Sequence, residues 1–146
     1  ARINAQASID RMRTEPATPP ELLALARALF ANGNRLARTA MTLEAVIDDV
    51  AALPAQADIR RFIEHAGDSL ANIAAALREQ RASDAPSDLR SLQHALVAVT
   101  QDAPDRAAGE LLARISDRLV DNINALAYAM NRAQPKAAAA VEPAEP

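Results

Sequence analysis

The sequence contains no cysteine and no tryptophan, and it has only three glycines and 2% aromatic residues in a chain of 146. The absence of cysteine excludes disulfides and thiolate chemistry. The scarcity of glycine leaves few of the turns that a β-sheet protein requires. Because 50% of the residues are still hydrophobic, the core must consist mainly of leucine, alanine, isoleucine and valine. Alanine, the best helix former, makes up about a quarter of the chain, so the composition predicts an all-α protein.

Excess positive charge and long apolar runs are also missing. The net charge is −3, so no global positive field attracts nucleic acid. The longest uncharged run, 91–101, falls well short of the ~20 residues that a membrane span needs. Charged residues such as Asp10 and Arg11 interrupt the start, where a signal peptide would be apolar. Since the chain begins at Ala1 rather than at methionine, we expect it to be a fragment of a longer protein.

Prolines divide the sequence into five helical segments. Pro16 is expected to end the first helix, because proline interrupts the helical hydrogen bonds. Thr18 and Glu21 have the spacing of a capping box at the start of the second helix. Asp102 is expected to cap the last helix, with Pro104 in its first turn. The predicted helices cover about residues 1–15, 18–53, 56–81, 87–101 and 104–133.

Apolar residues recur at spacings of three, four or seven in these segments, which places them on one face of each helix. The predicted buried positions are Ile3, Ala7 and Met12 or Ile9 in the first helix, Leu22, Leu25, Leu29, Leu36, Leu43, Val46, Ile47 and Val50 in the second, Ile59, Phe62, Ile63, Ala66, Leu70, Ile73 and Leu77 in the third, Leu89, Leu92, Leu96 and Val99 in the fourth, and Leu112, Ile115, Leu119, Ile123, Leu126 and Met130 in the fifth. Helices joined by short connections pack as antiparallel neighbours. The sequence therefore predicts an antiparallel up-and-down helical bundle of four main helices plus a short N-terminal helix.

Two parts of the chain depart from this regular pattern. Asn32, Gly33 and Asn34 form a weak point in the second helix, which is open to three interpretations: a kink, a close helix crossing at Gly33, or a break that Phe30 covers. We expect a continuous or kinked helix. Residues 134–146 form a tail of alanine, proline and glutamate with nothing to bury, so we expect a bundle domain over 1–133 followed by a disordered tail.

The two histidines are the obvious residues to test for chemistry. Neither His65 nor His94 has a glutamate three residues before it, so the Glu-x-x-His motif of di-iron bundles is absent. His65 and Asp68 share a helix face, which leaves a metal role as the alternative to a surface histidine. A phosphorelay histidine would resemble His-x-x-Lys-Gly. Asp68 and Ser69 occupy those two positions after His65, and an acid there would repel a phosphoryl group.

Other catalytic and binding patterns are weak as well. The sequence has no Gly-x-Ser-x-Gly elbow and no glycine-rich phosphate loop. Glu44, Asp48 and Asp49 have the spacing of a solvated acidic helix face, with cation binding as the alternative.

A basic stretch on the third helix comprises 60–61, Arg78 and Arg81, and Glu64 and Glu79 flank it. A salt-bridged surface is the expected interpretation, and contact with anionic lipid headgroups is the alternative. Phe62 and Tyr128 are expected to be core or interface residues. The sequence thus predicts no catalytic, cofactor-binding or metal-binding residue, and no enzyme.

Several short segments resemble one known family. Residues 2–11, followed by Glu15 and Pro16, are similar to the Asn-Ala-x-Ala stretch, arginine and Glu-Pro step that follow the final membrane helix in fusaric-acid-resistance (FUSC) family proteins. These proteins are also described as aromatic acid exporter-like. The segments 35–37, 88–90 and 118–126 resemble the soluble helical region that follows in that family. The resemblance covers nearly the whole helical part of the chain, in short motifs of common helical residues.

The resemblance implies a function outside the chemistry tested above. It implies a bacterial inner-membrane exporter in which membrane bundles alternate with cytoplasmic helical domains, the present chain being the C-terminal soluble domain. The first helix would continue from a membrane segment, and the partners would be the membrane-embedded part of the same chain and a second copy. Aromatic acids or related compounds would be transported, and the domain would contribute to assembly or regulation. The alternative is a free-standing helical protein-interaction or small-ligand sensor module.

Deletion of the residues after Gln134 should leave the melting temperature unchanged, because the tail has little apolar surface to contribute to the core. Thermal unfolding followed by circular dichroism would measure this, with the full chain as the reference. A drop of several degrees would show that the tail packs against the bundle.

Overall fold

A computed structural model describes residues 2–16, 18–45, 53, 55–83, 88–101 and 105–133 of the chain. Within these residues every regular element is an α-helix and there is no strand, which confirms the predicted all-α bundle. The five helices are α1 (Arg2–Thr14), α2 (Pro20–Ala45), α3 (Gln56–Glu79), α4 (Leu89–Thr100) and α5 (Arg106–Ala133).

Helix α5 is the centre of the bundle and packs against α2, α3 and α4. Its side chains include Val120 and Ile123, both with no exposed surface. Helix α4 also packs against α3, whereas α1 packs against α2. Among the side chains of α1 that the structure describes, Ile9 is buried, with 8% of its surface exposed.

Three contacts give the directions of the helices. Asn122 Nδ2 of α5 donates a hydrogen bond to Thr39 Oγ1 of α2 at 3.1 Å. Glu21 at the start of α2 and Arg132 at the end of α5 line the same groove, so these two helices are antiparallel. The backbone N–H of Ser83, just after α3, donates to Asn131 Oδ1 near the end of α5 at 2.9 Å, so α3 runs parallel to α5. Gly109 at the start of α5 lies against Thr100 at the end of α4, and the four main helices therefore alternate in direction.

The helix termini agree with the proline pattern, but the predicted capping box at the start of α2 is wrong. Helix α1 ends before Pro16 as expected. Thr18 makes no side-chain hydrogen bond within the described residues; instead the carbonyl of Pro19 accepts the first helical bonds, from the N–H groups of Leu22 and Leu23. The capping box is therefore not formed. Prolines at the start of a helix lack only an N–H that would have no helical partner.

The last helix begins later than predicted. Asp105 Oδ1 accepts a hydrogen bond from the backbone N–H of Ala108 at 3.0 Å, and its carbonyl accepts from Gly109. Asp105 is thus the cap of α5, and the predicted cap Asp102 lies outside the described residues. Helix α4 has the same kind of cap, because Asp88 Oδ1 accepts from the N–H of Ser91 at 3.0 Å. Hydrogen bonds from Ser91 lower the pKa of the Asp88 carboxyl.

Helix α2 is continuous through the Asn-Gly-Asn segment, as expected. A Cβ atom added to Gly33 would meet nothing within 4 Å, so Gly33 is not a helix crossing point, and there is no break for Phe30 to cover. The predicted continuation of this helix to residue 53, with Val46, Ile47 and Val50, lies outside the described residues. Leu53 itself is buried.

The buried faces of α3 and α4 are rotated from the predicted ones. In α3 the buried positions are spaced three and four residues apart: Ile59, Phe62, Ala66, Ser69, Ile73 and Ala76. The predicted core residues Ile63 and Leu77 are 46% and 43% exposed. In α4, Gln93 and Thr100 are buried, whereas Val99 is 48% exposed and Leu92 is half-buried.

Most of the other predicted core positions are confirmed. The buried members of the predicted set are Ile9, Ile59, Phe62, Ala66, Ile73, Leu89, Leu96, Leu112, Ile115, Ile123, Leu126 and Met130. Leu22 is 49% exposed, Ala7 is exposed, and Leu25, Leu29, Leu36, Leu43, Leu70, Leu119 and Met12 are half-buried. The core therefore lies mainly between α3, α4 and α5.

The close helix approach is at Gly109, not at Gly33. A Cβ atom at Gly109 would lie 2.9 Å from the backbone carbonyl oxygen of Thr100, a distance that requires one of the two helices to shift. Glycine at this position therefore allows α4 and α5 to meet at the end of their short connection.

Substitution of these two glycines by alanine should have opposite effects. Gly109→Ala should destabilise the bundle by about 1–3 kcal/mol, because the new methyl group overlaps backbone rather than a flexible side chain. Gly33→Ala should stabilise it by about 0.5–1 kcal/mol, because alanine is the better helix former and space is open there. Urea unfolding would measure both, and a stabilised Gly109→Ala variant would contradict the close approach.

Candidate functional site

The histidines do not form a site in the structure. His65 is half-buried on α3 and His94 is exposed on α4, and neither side chain makes a hydrogen bond to any described residue. Asp68, the residue predicted to share a face with His65, is exposed. In the part of the chain that the structure describes, no three His, Cys, Asp or Glu side chains are grouped so that they could hold a metal ion.

The charged clusters predicted from the sequence are only partly described. Glu44 is exposed near the end of α2, whereas Asp48 and Asp49 lie outside the described residues. On α3, Arg78 is exposed and has no ion pair within the described ranges. Arg81 Nε donates to Glu79 Oε2 at 2.6 Å, so the expected salt-bridged surface is confirmed for Arg81.

Exposed arginines 60 and 61 likewise have no ion-pair partner among the described residues. This basic stretch therefore combines solvated charges at Arg60, Arg61 and Arg78 with the paired Arg81. It lacks the aromatic side chains that would stack nucleobases.

A second ion-pair cluster joins α4 to α5. The guanidinium of Arg90 donates to Asp117 and to Asp121, each at 2.5 Å. The hydrogen bond with Asp117 is the largest of the effects that raise the pKa of Arg90. All three side chains are at least one-third exposed, so this cluster contributes no more than about 1 kcal/mol per pair. It links α4 to α5.

A groove between α2 and α5 has a volume of about 720 Å³. This volume lies within the ~300–1,000 Å³ range of small-molecule sites. On the α5 side, alanines at 125 and 129 form the wall, one helical turn apart, and Tyr128 and Arg132 stand beside them. The sequence predicted that Tyr128 is either a core or an interface residue. Because Tyr128 is 66% exposed and lines the groove, it is not a core residue.

The α2 side of the groove continues this arrangement over about four helical turns. Ala24, Leu25 and Ala28 form an apolar stretch, with Asn32 and Arg35 beyond it towards the middle of the helix. At the opposite end, where α2 begins, Glu21 lines the groove. The small alanine side chains on both helices leave the space that larger residues would fill.

The register of the two helices places the arginines close together. Because Thr39 faces Asn122 and the helices are antiparallel, Arg35 lies level with about residue 126 of α5. Arg132 is then about 9 Å further along the axis, at a rise of about 1.5 Å per residue. Neither arginine has an ion-pair partner within the described residues.

Sequence reasoning missed this groove and both of its arginines. The signal that was present is the four-residue spacing of alanines at 24 and 28 and at 125 and 129, which marks a helix face without bulk. That these two faces meet follows only from the pairing of α2 with α5, which are separated by two helices in the chain.

Comparison of the chain with protein-family models, curated proteins and solved structures finds no significant match. Among the described residues, no helix is both long enough and apolar enough to cross a membrane.

The hydrogen bond between Thr39 and Asn122 should fix the register of the groove. Thr39→Val should destabilise the bundle by about 1–3 kcal/mol, because it leaves the half-buried Asn122 amide without its acceptor. The double variant Thr39→Val/Asn122→Leu should lose less stability than the sum of the single variants. Urea unfolding in a double-mutant cycle would measure a coupling of about 0.5–1.5 kcal/mol, whereas additivity within about 0.3 kcal/mol would contradict the role of this bond.

Proposed function

We propose that the chain is a non-catalytic helical domain of a bacterial inner-membrane exporter-like protein, and that it contributes to assembly or regulation at the cytoplasmic face. The observation that carries this proposal is the incomplete burial of α2. Thr39 is its buried residue, whereas Leu22 is 49% exposed and Met41 is 67% exposed. An amphipathic helix of this length normally buries its apolar stripe. Partial exposure is expected if α2 also packs against another part of a longer chain or a second copy.

The resemblance to the fusaric-acid-resistance family supports the same proposal. In the structure, its short segments take part in capping, packing and helix–helix contacts of the bundle. Asp88 caps α4, Leu89 is buried with 2% exposure, and Arg90 joins α4 to Asp121 of α5. Asn122 in the same segment of α5 binds Thr39 of α2.

Transport of aromatic acids or related compounds comes to this chain through the family resemblance alone. No described residue of the bundle forms a conduit, and the transport path would lie in the membrane part of the protein. The proposed contribution of this domain is therefore to hold or adjust that part through the exposed face of α2.

The proposal can be tested on the intact protein. The coding sequence upstream of Ala1 should contain several apolar spans of about 20 residues, and the full chain should sediment with the inner-membrane fraction. In that full chain, Leu22→Ser/Met41→Ser should reduce the detergent-stable assembly and the export activity, because both side chains are apolar and exposed on α2.

Val99→Ser provides a matched control, since Val99 is 48% exposed but lies on α4. It should leave assembly and export unchanged. A methionine start immediately before Ala1, or a full chain found in the soluble fraction, would remove the exporter proposal.

A small-ligand sensor module is the second candidate function, and the groove between α2 and α5 favours it. The groove combines an apolar wall with a few polar groups, which is the usual composition of a ligand pocket. Ligand binding by the isolated bundle would distinguish this function from one limited to assembly.

A further inference from the structure

The groove between α2 and α5 has an uneven charge distribution. Arg35 and Arg132 line one part of it, whereas Glu21 lies at the start of α2, about 21 Å from Arg35 along the helix. The chain as a whole carries a net charge of −3, so two arginines against one glutamate make the groove locally positive. An anionic group is attracted to the arginine end and repelled from the glutamate end.

The arginine end has the groups that bind a carboxylate. The two guanidinium-bearing residues are about 9 Å apart along the bundle axis, a distance that two flexible side chains can close on a single anion. Arginine binds carboxylates through paired, charge-assisted hydrogen bonds. Asn32 and Tyr128 line the groove between the two arginine levels and add hydrogen-bonding groups.

The remainder of the groove is apolar and linear. From the level of Arg132, near residue 29 of α2, it follows that helix for about 8 Å to Ala24, past Ala28 and Leu25. An extended hydrocarbon chain follows such an interhelical groove along its length, whereas a compact ring would occupy only a part of it. Burial of each methylene on this wall contributes up to about 0.8 kcal/mol.

We propose that this groove binds a free linear amphipathic carboxylate, of the fatty-acid type, with its head between Arg35 and Arg132 and its chain along Ala28 towards Ala24. This inference goes beyond the accessory role proposed above, because it concerns the bundle alone. For the small-ligand sensor module, which is the second candidate function, it names fatty-acid-type carboxylates as the class of ligand.

The chain offers a direct optical probe of this site. Tyr128 is the only tyrosine and the chain has no tryptophan, so intrinsic tyrosine emission reports on the groove alone. Titration of the bundle with dodecanoate, below its micelle concentration, should give a saturable change in emission with one site per chain. Dodecyltrimethylammonium, which has the same chain and a positive head, should give no saturable change.

Paired variants separate the arginine site from general charge. Arg35→Gln/Arg132→Gln should weaken dodecanoate binding about tenfold or more, as expected for the loss of charge-assisted hydrogen bonds. Arg27→Gln/Arg38→Gln removes the same charge from exposed positions of α2 outside the groove and should bind as the parent chain does. Ala28→Leu should also abolish binding while both arginines remain, because leucine fills the apolar part of the groove.

Circular dichroism of each variant would verify that the bundle is folded. Equal weakening in both arginine pairs, or equal binding of the ammonium amphiphile, would overturn the proposal. So would binding to phosphatidylglycerol vesicles without binding of monomeric dodecanoate, because the source of the anion would then be a lipid surface. None of these results bears on the membrane fractionation of the full chain, so the two proposals fail independently.

Discussion

The packing of α5 against three other helices is the constraint on which the rest of the structure depends. Its fully buried side chains, such as Val120 and Ile123, fill the space between α2, α3 and α4. Close packing at Gly109 then sets how near α4 can approach, and Asn122 sets the register of α2. Every other helix of the four-helix core is therefore placed by its contact with α5. A substitution in α5 therefore affects its contacts with α2, α3 and α4, whereas a substitution in α1 affects mainly the contact with α2.

Helix existence and order could be predicted from the sequence, and so could part of the buried faces of α3 and α4, but the buried polar residues on those faces could not. In both helices a second stripe of large apolar residues lies beside the buried one, and pattern alone favours the larger side chains. The structure instead buries Ser69 and Thr100, whose hydroxyl groups donate to the carbonyls four residues earlier, His65 and Leu96. A hydroxyl satisfied within its own helix loses most of the penalty for burial, and its small side chain allows close packing. Gln93 is a partial exception, since its Oε1 is buried without a partner in the described structure.

The groove was harder to predict from the sequence than the core was. Its two walls come from segments about 100 residues apart, and the hydrogen bond that aligns them joins residues 83 positions apart. Periodicity within one helix contains no information on which distant face it meets. Arg35 and Arg132 therefore had the pattern of ordinary solvated charges until the register of α2 and α5 placed them about 9 Å apart along one groove.

Helix α2 takes part in both proposed roles, which are docking to another part of the protein and ligand binding in the groove. It is bound to the bundle by half-buried leucines and the Thr39 hydrogen bond, and Thr39 is its buried residue. A ligand in the groove contacts α2 and α5 together, and it stabilises their present arrangement only to the extent that it binds that arrangement more tightly than others. The exposed residues Leu22 and Met41 are on this same helix. Occupancy of the groove and docking of α2 would thus be linked reciprocally, because each would favour or disfavour the same helix position.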